Sequence, residues 1–343
     1  MTTTRAKREN SVFATCLSSL DSDSQRDLAN RVQTGLLAWF ATNRRDLPWR
    51  RTRDPYRILV AEVMLQQTQV DRVVPYYDSF LDYFPTISSL ASAPTGEVIK
   101  LWAGLGYNRR AVNLQRTARF IIDELDGVFP RDAASLRRLP GIGPYTAGAI
   151  ACFAFEQDVA FLDTNMRRTL HRLFFGVDVP VLTATERELV AMAASIMPVG
   201  SGWEWNQALI EFGALQCTAR RPACVICPLQ AECKAFPEIQ GVIALLPISS
   251  RRKVETPFGG SNRYYRGRVV DALREMDSEH PTGIDLASLG TRVRDDFGDE
   301  DIPWLYQLVQ GLARDGLAAV AEEKPAYDAG VPDSGRPIRV KLP

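Results

Sequence analysis

Apolar residues recur three and four positions apart through most of the chain: at Val73, Tyr77, Phe80, Leu81 and Phe84, at Ala111, Leu114, Ala118, Ile121, Ile122 and Leu125, and at Leu189, Ala193 and Ile196. That period lays one apolar stripe along a helix, so the pattern predicts a mainly α-helical protein. Pro85, Pro94, Pro130, Pro140 and Pro144 punctuate it, cutting it into helices of about ten to fifteen residues rather than the long rods of a simple bundle. No repeat at a fixed period indicates a solenoid.

After Cys233 the pattern changes. Pro237, Pro247, Pro257, Gly259, Gly260 and the basic triplet Arg251, Arg252, Lys253 predict a linker. Beyond it, Tyr265 to Met276 and Pro303 to Asp315 read as helices and the apolar ending Leu317 to Val320 as a strand. Helices followed by a β-tail predict a small C-terminal α/β domain of winged-helix-like type, with a plain helical cap as the alternative.

Composition narrows the class. With 343 residues, 45% of them apolar and 24% charged, the chain can bury a core, and at roughly 150 residues per domain it forms two or three units. The longest nearly unbroken small or apolar run, Thr146 to Phe155, is about half of the ~20 residues needed to cross a bilayer, so no membrane span is expected. The 41 bases balance the 41 acids, and any basic surface must be local. Lys100, Arg109, Arg110, Arg116 and Arg119 occupy a stretch without an acid, whereas Asp271 to Asp301 holds ten acids against three bases. One face would attract phosphate and the far end repel it. The first 25 residues are polar and mixed in charge and lack the apolar core of a signal peptide. A mobile tail and a cytoplasmic protein, nucleoid-associated if bacterial and not secreted, are expected.

Four of the six cysteines crowd between Cys217 and Cys233, too few for a disulfide scaffold and too close to be incidental. Cys217, Cys224, Cys227 and Cys233 follow the spacing Cys-x6-Cys-x2-Cys-x5-Cys. Four thiolates so placed suit an iron-sulfur cube or a tetrahedral zinc, and spacing alone does not choose between them. Arg220, Arg221 and Lys234 sit among the ligands, either to meet a phosphate backbone or to offset thiolate charge. A second motif, Leu139-Pro140-Gly141-Ile142-Gly143-Pro144-Tyr145-Thr146-Ala147-Gly148, is a glycine-rich turn between two helical patterns. Without a Cβ, Gly141 and Gly143 let backbone amides approach a phosphate at the start of the next helix.

This hairpin, with an Asp downstream, resembles that of the helix-hairpin-helix DNA glycosylases, and the cysteine spacing is similar to the 4Fe-4S loop of their endonuclease III and adenine glycosylase branches. Leu47-Pro48-Trp49-Arg50, the run Glu62-Val63-Met64-Leu65-Gln66-Gln67-Thr68-Gln69-Val70, Gly104-Leu105-Gly106-Tyr107 and Leu162-Asp163-Thr164-Asn165 resemble the A/G-specific adenine glycosylase (MutY-type) family. The likeness runs in order from about residue 35 to 235, and several motifs in register make chance agreement improbable. It implies a two-lobed fold: 26–54 with 160–240 as a helical lobe carrying the 4Fe-4S loop, and 55–159 as a six-helix lobe with the hairpin. The tail (1–25), the linker (241–261) and the small C-terminal domain (262–343) complete the expected organisation.

The resemblance also implies roles. Glu62 would be the general acid protonating adenine, on an apolar helix where burial keeps its proton; an exposed helix Glu is the bland alternative. Asp163 would stabilise an oxocarbenium-like sugar, although an Asp just before a helical pattern is also what an N-cap looks like. Asn165 would orient the sugar or a water. Tyr145, where lyase members carry Lys, would bridge the carboxyls, and with no Schiff-base nucleophile the enzyme would be monofunctional. Gln67 and Tyr107 would wedge into the duplex, Gly141 and Gly143 would hold phosphate, and Arg45, Trp49, Arg50 and Gln207 would lie near the adenine pocket. The expected partner is double-stranded DNA with a mismatched or damaged base pair, bound by a monomer.

Two mild departures, Asn108 where many relatives have a second Tyr and Thr164 where Gly is frequent, leave the substrate open. The larger one is that neither His171 nor His280 follows Phe-Ser, and the region after 262 is short for the nucleotide-hydrolase-like domain with which many relatives read 8-oxoguanine. A thymine or uracil mismatch glycosylase, or a non-catalytic damage-binding protein, are the alternatives. Gln66-Gln67-Thr68 favours adenine. Retention of both carboxylates beside a polyanion argues against a mere platform.

Overall fold

The computed structural model describes residues 22–245, 259–321 and 338–343. The expected tail, apart from its last few residues, and the core of the expected linker with its basic triplet lie outside the described residues. The helices are α1 (Ser22–Asn43), α2 (Pro55–Leu65), α3 (Val70–Tyr83), α4 (Ile87–Ser92), α5 (Thr95–Leu101), α6 (Arg109–Glu124), α7 (Ala133–Leu136), α8 (Pro144–Phe155), α9 (Thr164–Phe174), α10 (Glu186–Ser195), α11 (Gly202–Leu215) and α12 (Glu238–Leu245). The C-terminal part contains α13 (Asn262–Met276), β1 (Ile284–Asp285), α14 (Leu286–Val293), α15 (Ile302–Arg314), β2 (Ala319–Ala321) and β3 (Arg339–Lys341). The protein is mainly α-helical, as the periodicity requires.

The chain divides into two compact units. Of the described residues, the first comprises 22–58, 130–138 and 142–245, the second 59–129, 139–141, 259–321 and 338–343. The C-terminal segment thus groups with the middle helices, and α8 with the cysteine-bearing part.

In the first unit α1 buries Val32, Leu36 and Phe40 at four-residue spacing and packs on α11, where Trp39 meets Phe212 edge-on at 4.9 Å. α11 in turn packs on α9. Their approach needs Gly213, because a Cβ there would lie 2.7 Å from the Asn165 Cβ and 2.8 Å from its carbonyl oxygen. α8 is apolar on every side, with Thr146 to Phe153 all buried, the pattern of an interior helix. Pro144 opens it at a position where its missing N–H costs nothing.

In the second unit α3 buries Val73, Tyr77, Phe80 and Leu81, and α6 buries Ala111, Leu114, Ala118 and Ile121. Polar side chains of α6 close the end of α4. Gln115 donates to the carbonyls of Leu90 (3.1 Å) and Ala93 (2.7 Å), and Arg119 to that of Ala91 (3.0 Å), satisfying helix carbonyls that have no partner of their own.

The C-terminal segment runs helix, strand, helix, helix, strand, strand. Its antiparallel sheet has the order β1-β3-β2, with Val340 opposite both Ile284 and Val320. This is the winged-helix-like arrangement expected. α14, β1 and β3, which the pattern of apolar residues does not single out, complete it. Its core of Val269, Leu273, Leu289, Leu305, Val309 and Val340 continues into Ile99 and Val112 of α5 and α6. Polar contacts follow the same seam: Arg274 donates to the Ile99 carbonyl (3.0 Å) and to Asn108 Oδ1 (2.9 Å), and Lys100 pairs with Asp277 at 2.7 Å.

Candidate active site and cluster loop

Glu62 lies in the last turns of α2 and is 5% exposed, among Leu59, Val60, Val63 and Met64, which are buried as well. The carbonyls ending α2 are collected by one buried side chain, Arg110. Its guanidinium donates to the oxygens of Val63 (3.0 Å), Met64 (2.8 Å) and Gln66 (2.5 Å), to Thr68 Oγ1 (3.0 Å), and to the oxygens of Leu105 (3.1 Å) and Gly106 (3.2 Å). Burial pushes Arg110 down to about 10, and it stays charged at neutral pH, where a cation at a helix C-terminus is favourable.

The two turns that Arg110 joins carry Gln67 and Tyr107. Both side chains are exposed, and both backbones are left-handed, with φ of 56° and 47°. Non-glycine residues in this region store strain, which concentrates at functional sites. Gly104 and Gly106, at φ 89° and 71°, make the second turn possible. At the hairpin, Gly141 has φ 77°, and a Cβ on it would come within 2.9 Å of the Asn113 Cβ. Thr117 Oγ1 donates to the Pro140 carbonyl at 2.6 Å. Gly143 differs: its backbone is extended, and nothing lies within 4 Å of a Cβ placed on it, so its value is an unobstructed approach to the start of α8.

In the first unit Asp163 caps α9. Its Oδ1 accepts from the Met166 N–H (2.6 Å) and its Oδ2 from Asn165 Nδ2 (3.1 Å). Asn165 Oδ1 accepts from Arg168 (2.9 Å), whose Nε donates to the Cys217 carbonyl (2.8 Å). A short relay thus runs from the carboxyl to the cysteine loop. Burial raises the Asp163 carboxyl above its ordinary value despite these donors. Tyr145 stands at the start of α8 with its ring edge-on to Phe161 at 5.4 Å. Phe161 fits there because Gly148 has no Cβ, which would come within 2.6 Å of the Phe161 Cβ.

Arg45, Arg50 and Gln207 converge on a residue that the sequence did not single out, the fully buried Glu211. Arg45 donates to it from the backbone N–H (2.8 Å), Nε (2.9 Å) and Nη2 (2.9 Å), and Arg50 from Nη2 (2.9 Å) while also holding Gln207 Oε1 (2.8 Å). Burial acts to raise the Glu211 carboxyl, but the two arginines overcome it and hold it at about 2. Trp49 is buried on the turn Pro48–Arg50.

Cys217, Cys224, Cys227 and Cys233 line one small cavity together with Arg172, Leu173, Phe212 and Ile239. Arg172 donates to Cys217 Sγ at 3.6 Å and to the carbonyls of Thr218 and Ala219, fixing the loop from inside. Burial pushes the Cys227 thiol up to about 11 and raises Cys224 and Cys233, so these sulfurs become thiolates only against a metal's charge. Among the described residues no three His, Cys, Asp or Glu side chains meet as ligands of a single ion. Four sulfurs around one cavity fit a cube that takes one thiolate per iron.

Comparison with known proteins places the chain in a family. The model of the HhH-GPD superfamily of base excision DNA repair proteins covers residues 60–193, and that of the iron-sulfur binding domain of endonuclease III covers residues 217–233. The adenine DNA glycosylase of Mycolicibacterium smegmatis is 40% identical over 314 residues, 88% of this chain and 97% of that protein. The chain belongs to the adenine DNA glycosylase family. The mouse adenine DNA glycosylase is 42% identical over 226 residues, which are 63% of this chain and 44% of that protein. A solved thermostable thymine-DNA glycosylase superposes with a TM-score of 0.59 at 31% identity, covering 63% of this chain and 99% of that one.

As in the family, the cofactor is a 4Fe-4S cluster, whose matched domain spans the four cysteines. Three positions that organise the residues described above escaped the sequence. Arg110 is one of an adjacent pair of arginines and looks like a surface base. Glu211 sits in an ordinary amphipathic helix, and Arg168 in another. A helical Glu facing an apolar stripe was the one available signal, for Glu211.

Proposed function

We propose that this chain excises adenine mispaired opposite 8-oxoguanine or guanine, hydrolysing the N-glycosidic bond and leaving an abasic site. Adenine departs as a neutral base only if the purine is protonated while positive charge builds on the deoxyribose. In this reading Glu62 supplies the proton and the Asp163 carboxylate stabilises the cationic sugar until water adds to it. Asn165 and the Met166 N–H hold Asp163 in place, and Tyr145 offers no amine for a Schiff base, so the strand stays intact. Gln67 and Tyr107 fill the space that the extruded nucleotide leaves, at a cost in stacking of a few kcal/mol. The amides around Gly141 and Gly143 take a phosphate. The cluster, when bound by Cys217, Cys224, Cys227 and Cys233, crosslinks the loop that presents Arg220 and Arg221. DNA with a mismatched base pair is the partner, and the protein acts as a monomer.

The observation that carries this reading is the contrast between the two carboxyls. Glu62 is almost completely buried on an apolar helix, whereas Asp163 has a backbone N–H and an amide donating to its two oxygens. Burial favours a held proton on Glu62; at Asp163, where burial also raises the carboxyl, the two fixed donors act the other way and favour the charged form. The test is single-turnover base release from duplexes carrying adenine opposite 8-oxoguanine, adenine opposite guanine, and thymine opposite guanine. Adenine should leave the first two and thymine should remain. Glu62→Gln should slow release by about 10²–10⁴ with DNA affinity nearly unchanged. Release of thymine, no release at all, or a borohydride-trapped adduct would each overturn part of the scheme.

A further inference from the structure

A groove of about 880 Å³ in the second unit lies between the Gln67 and Tyr107 turns and helix α13 of the winged-helix-like segment. Its size falls in the ~300–1,000 Å³ range of ligand sites. Six arginines line it (Arg72, Arg109, Arg110, Arg263, Arg266 and Arg274), against two acids, Asp271 and Asp315. Asp315 is shared by Arg109 (3.4 Å) and Arg266 (2.5 Å), and Asp271 takes Arg274 (2.6 Å), so the lining keeps four positive charges in excess. At the mouth, Arg263 lies 4.8 Å above the ring of Tyr107, with Arg110 at 5.5 Å from the same ring. Tyr107 is still 48% exposed. The groove is also lined by Asn113, the residue against which Gly141 packs.

An arginine-rich lining with an exposed aromatic, and with the Gly141 turn packed behind Asn113, suits a chain of phosphates and a base. We infer that α13 completes a binding groove for a DNA strand, in which Arg263 contacts a phosphate and holds Tyr107 in its left-handed, base-facing conformation. This inference rests on the DNA-processing reading above. The winged-helix-like segment would then use its first helix for nucleic acid. Its α15 has Arg314 as its one base, whereas α13 carries four arginines. Charge on the groove wall provides the affinity, and stacking on Tyr107 tolerates any base.

The test measures binding of the iron-sulfur-loaded full chain to a labelled duplex with adenine opposite 8-oxoguanine, by anisotropy, between 50 and 200 mM salt. Arg263 is exposed, so Arg263→Ala leaves the fold undisturbed. It should weaken binding about fivefold and make the dependence of log Kd on log salt shallower by about 0.9, the value of one lost phosphate contact. Arg268 shares the helix but points to Tyr264 and the Arg292 carbonyl, outside the groove, and Arg268→Ala should bind as the parent does. Equal affinity and salt slope for the two variants would overturn the groove while leaving the glycosylase reading intact. Failure of the parent to bind any duplex would defeat that reading itself. Competition by free inorganic phosphate alone, with the Arg263 slope unchanged, would assign the groove to a small anion and overturn the strand.

Discussion

Glu211 offers the most quantitative test of how the wall formed by Arg45, Arg50 and Gln207 is held. Its carboxyl is fully buried and takes four donors from two arginines, which bring it from the ordinary 4.5 to about 2. Ionisation in the folded state is therefore favoured by about 3 kcal/mol over ionisation in the unfolded chain. The folded-state pKa is depressed, so this stability is fully present above pH 4.5 and is lost as the pH falls towards 2. By pH 3.5 the unfolded chain binds the proton first, and about 1.4 kcal/mol has gone. Glu211→Gln should be about 3 kcal/mol less stable at pH 7, within the range for a buried pair that loses one partner. The gap to the parent should narrow by about 1.4 kcal/mol at pH 3.5. Urea unfolding of both proteins at the two pH values, followed by circular dichroism, measures it. A gap that is the same at both, or a variant as stable as the parent at pH 7, would refute the assignment of Glu211 as a charged anchor.

Three further outcomes are expected. Asp163→Asn should abolish base release yet raise Tm at neutral pH: asparagine caps α9 as well as aspartate does, and it removes a carboxylate whose raised pKa marks a charge that burial disfavours. Because that folded-state pKa lies above the unfolded one, the gain should appear above it and vanish at acid pH, as thermal scans across pH would register. Gly141→Ala should cost about 1–2 kcal/mol, from the left-handed backbone and the Asn113 contact, read by urea unfolding, and should weaken DNA binding. The purified protein should be brown with about four irons per chain, and Cys224→Ser should lower that iron content; a colourless, zinc-loaded protein would contradict the cube.

Much of this was readable in the residues, and what was not has a common cause. Periodicity found α3, α6 and α10, because a helix that buries one face must repeat its apolar residues. It located the helices α13 and α15, but missed α14, whose Leu286, Leu289 and Val293 carry the helical spacing over only two turns, and the two-residue β1, which is too short to show a period. The basic stretch from Lys100 to Arg119 promised one phosphate-attracting face. In the fold Lys100 pairs with Glu97 and Asp277, Arg119 caps α4, and Arg110 turns inward, so three of the five bases are already engaged by the protein itself. Local sequence cannot distinguish a base that meets water from one that meets carbonyls brought in from forty residues away.

Arg110 also shows why Glu62 and the Gln67 and Tyr107 turns belong to one rigid piece. Gln67 and Tyr107 occupy left-handed conformations that cost of order 1–3 kcal/mol each, and neither turn is regular enough to hold them alone. The guanidinium offsets that cost by accepting no substitute geometry: three of its contacts end α2 just past Glu62, one fixes Thr68, and two close the Leu105-Gly106 turn. Moving either turn therefore strains the helix end that carries Glu62. A lysine at 110 would keep the charge but offer three donors from a point in place of five in a plane, and could not hold both turns at once.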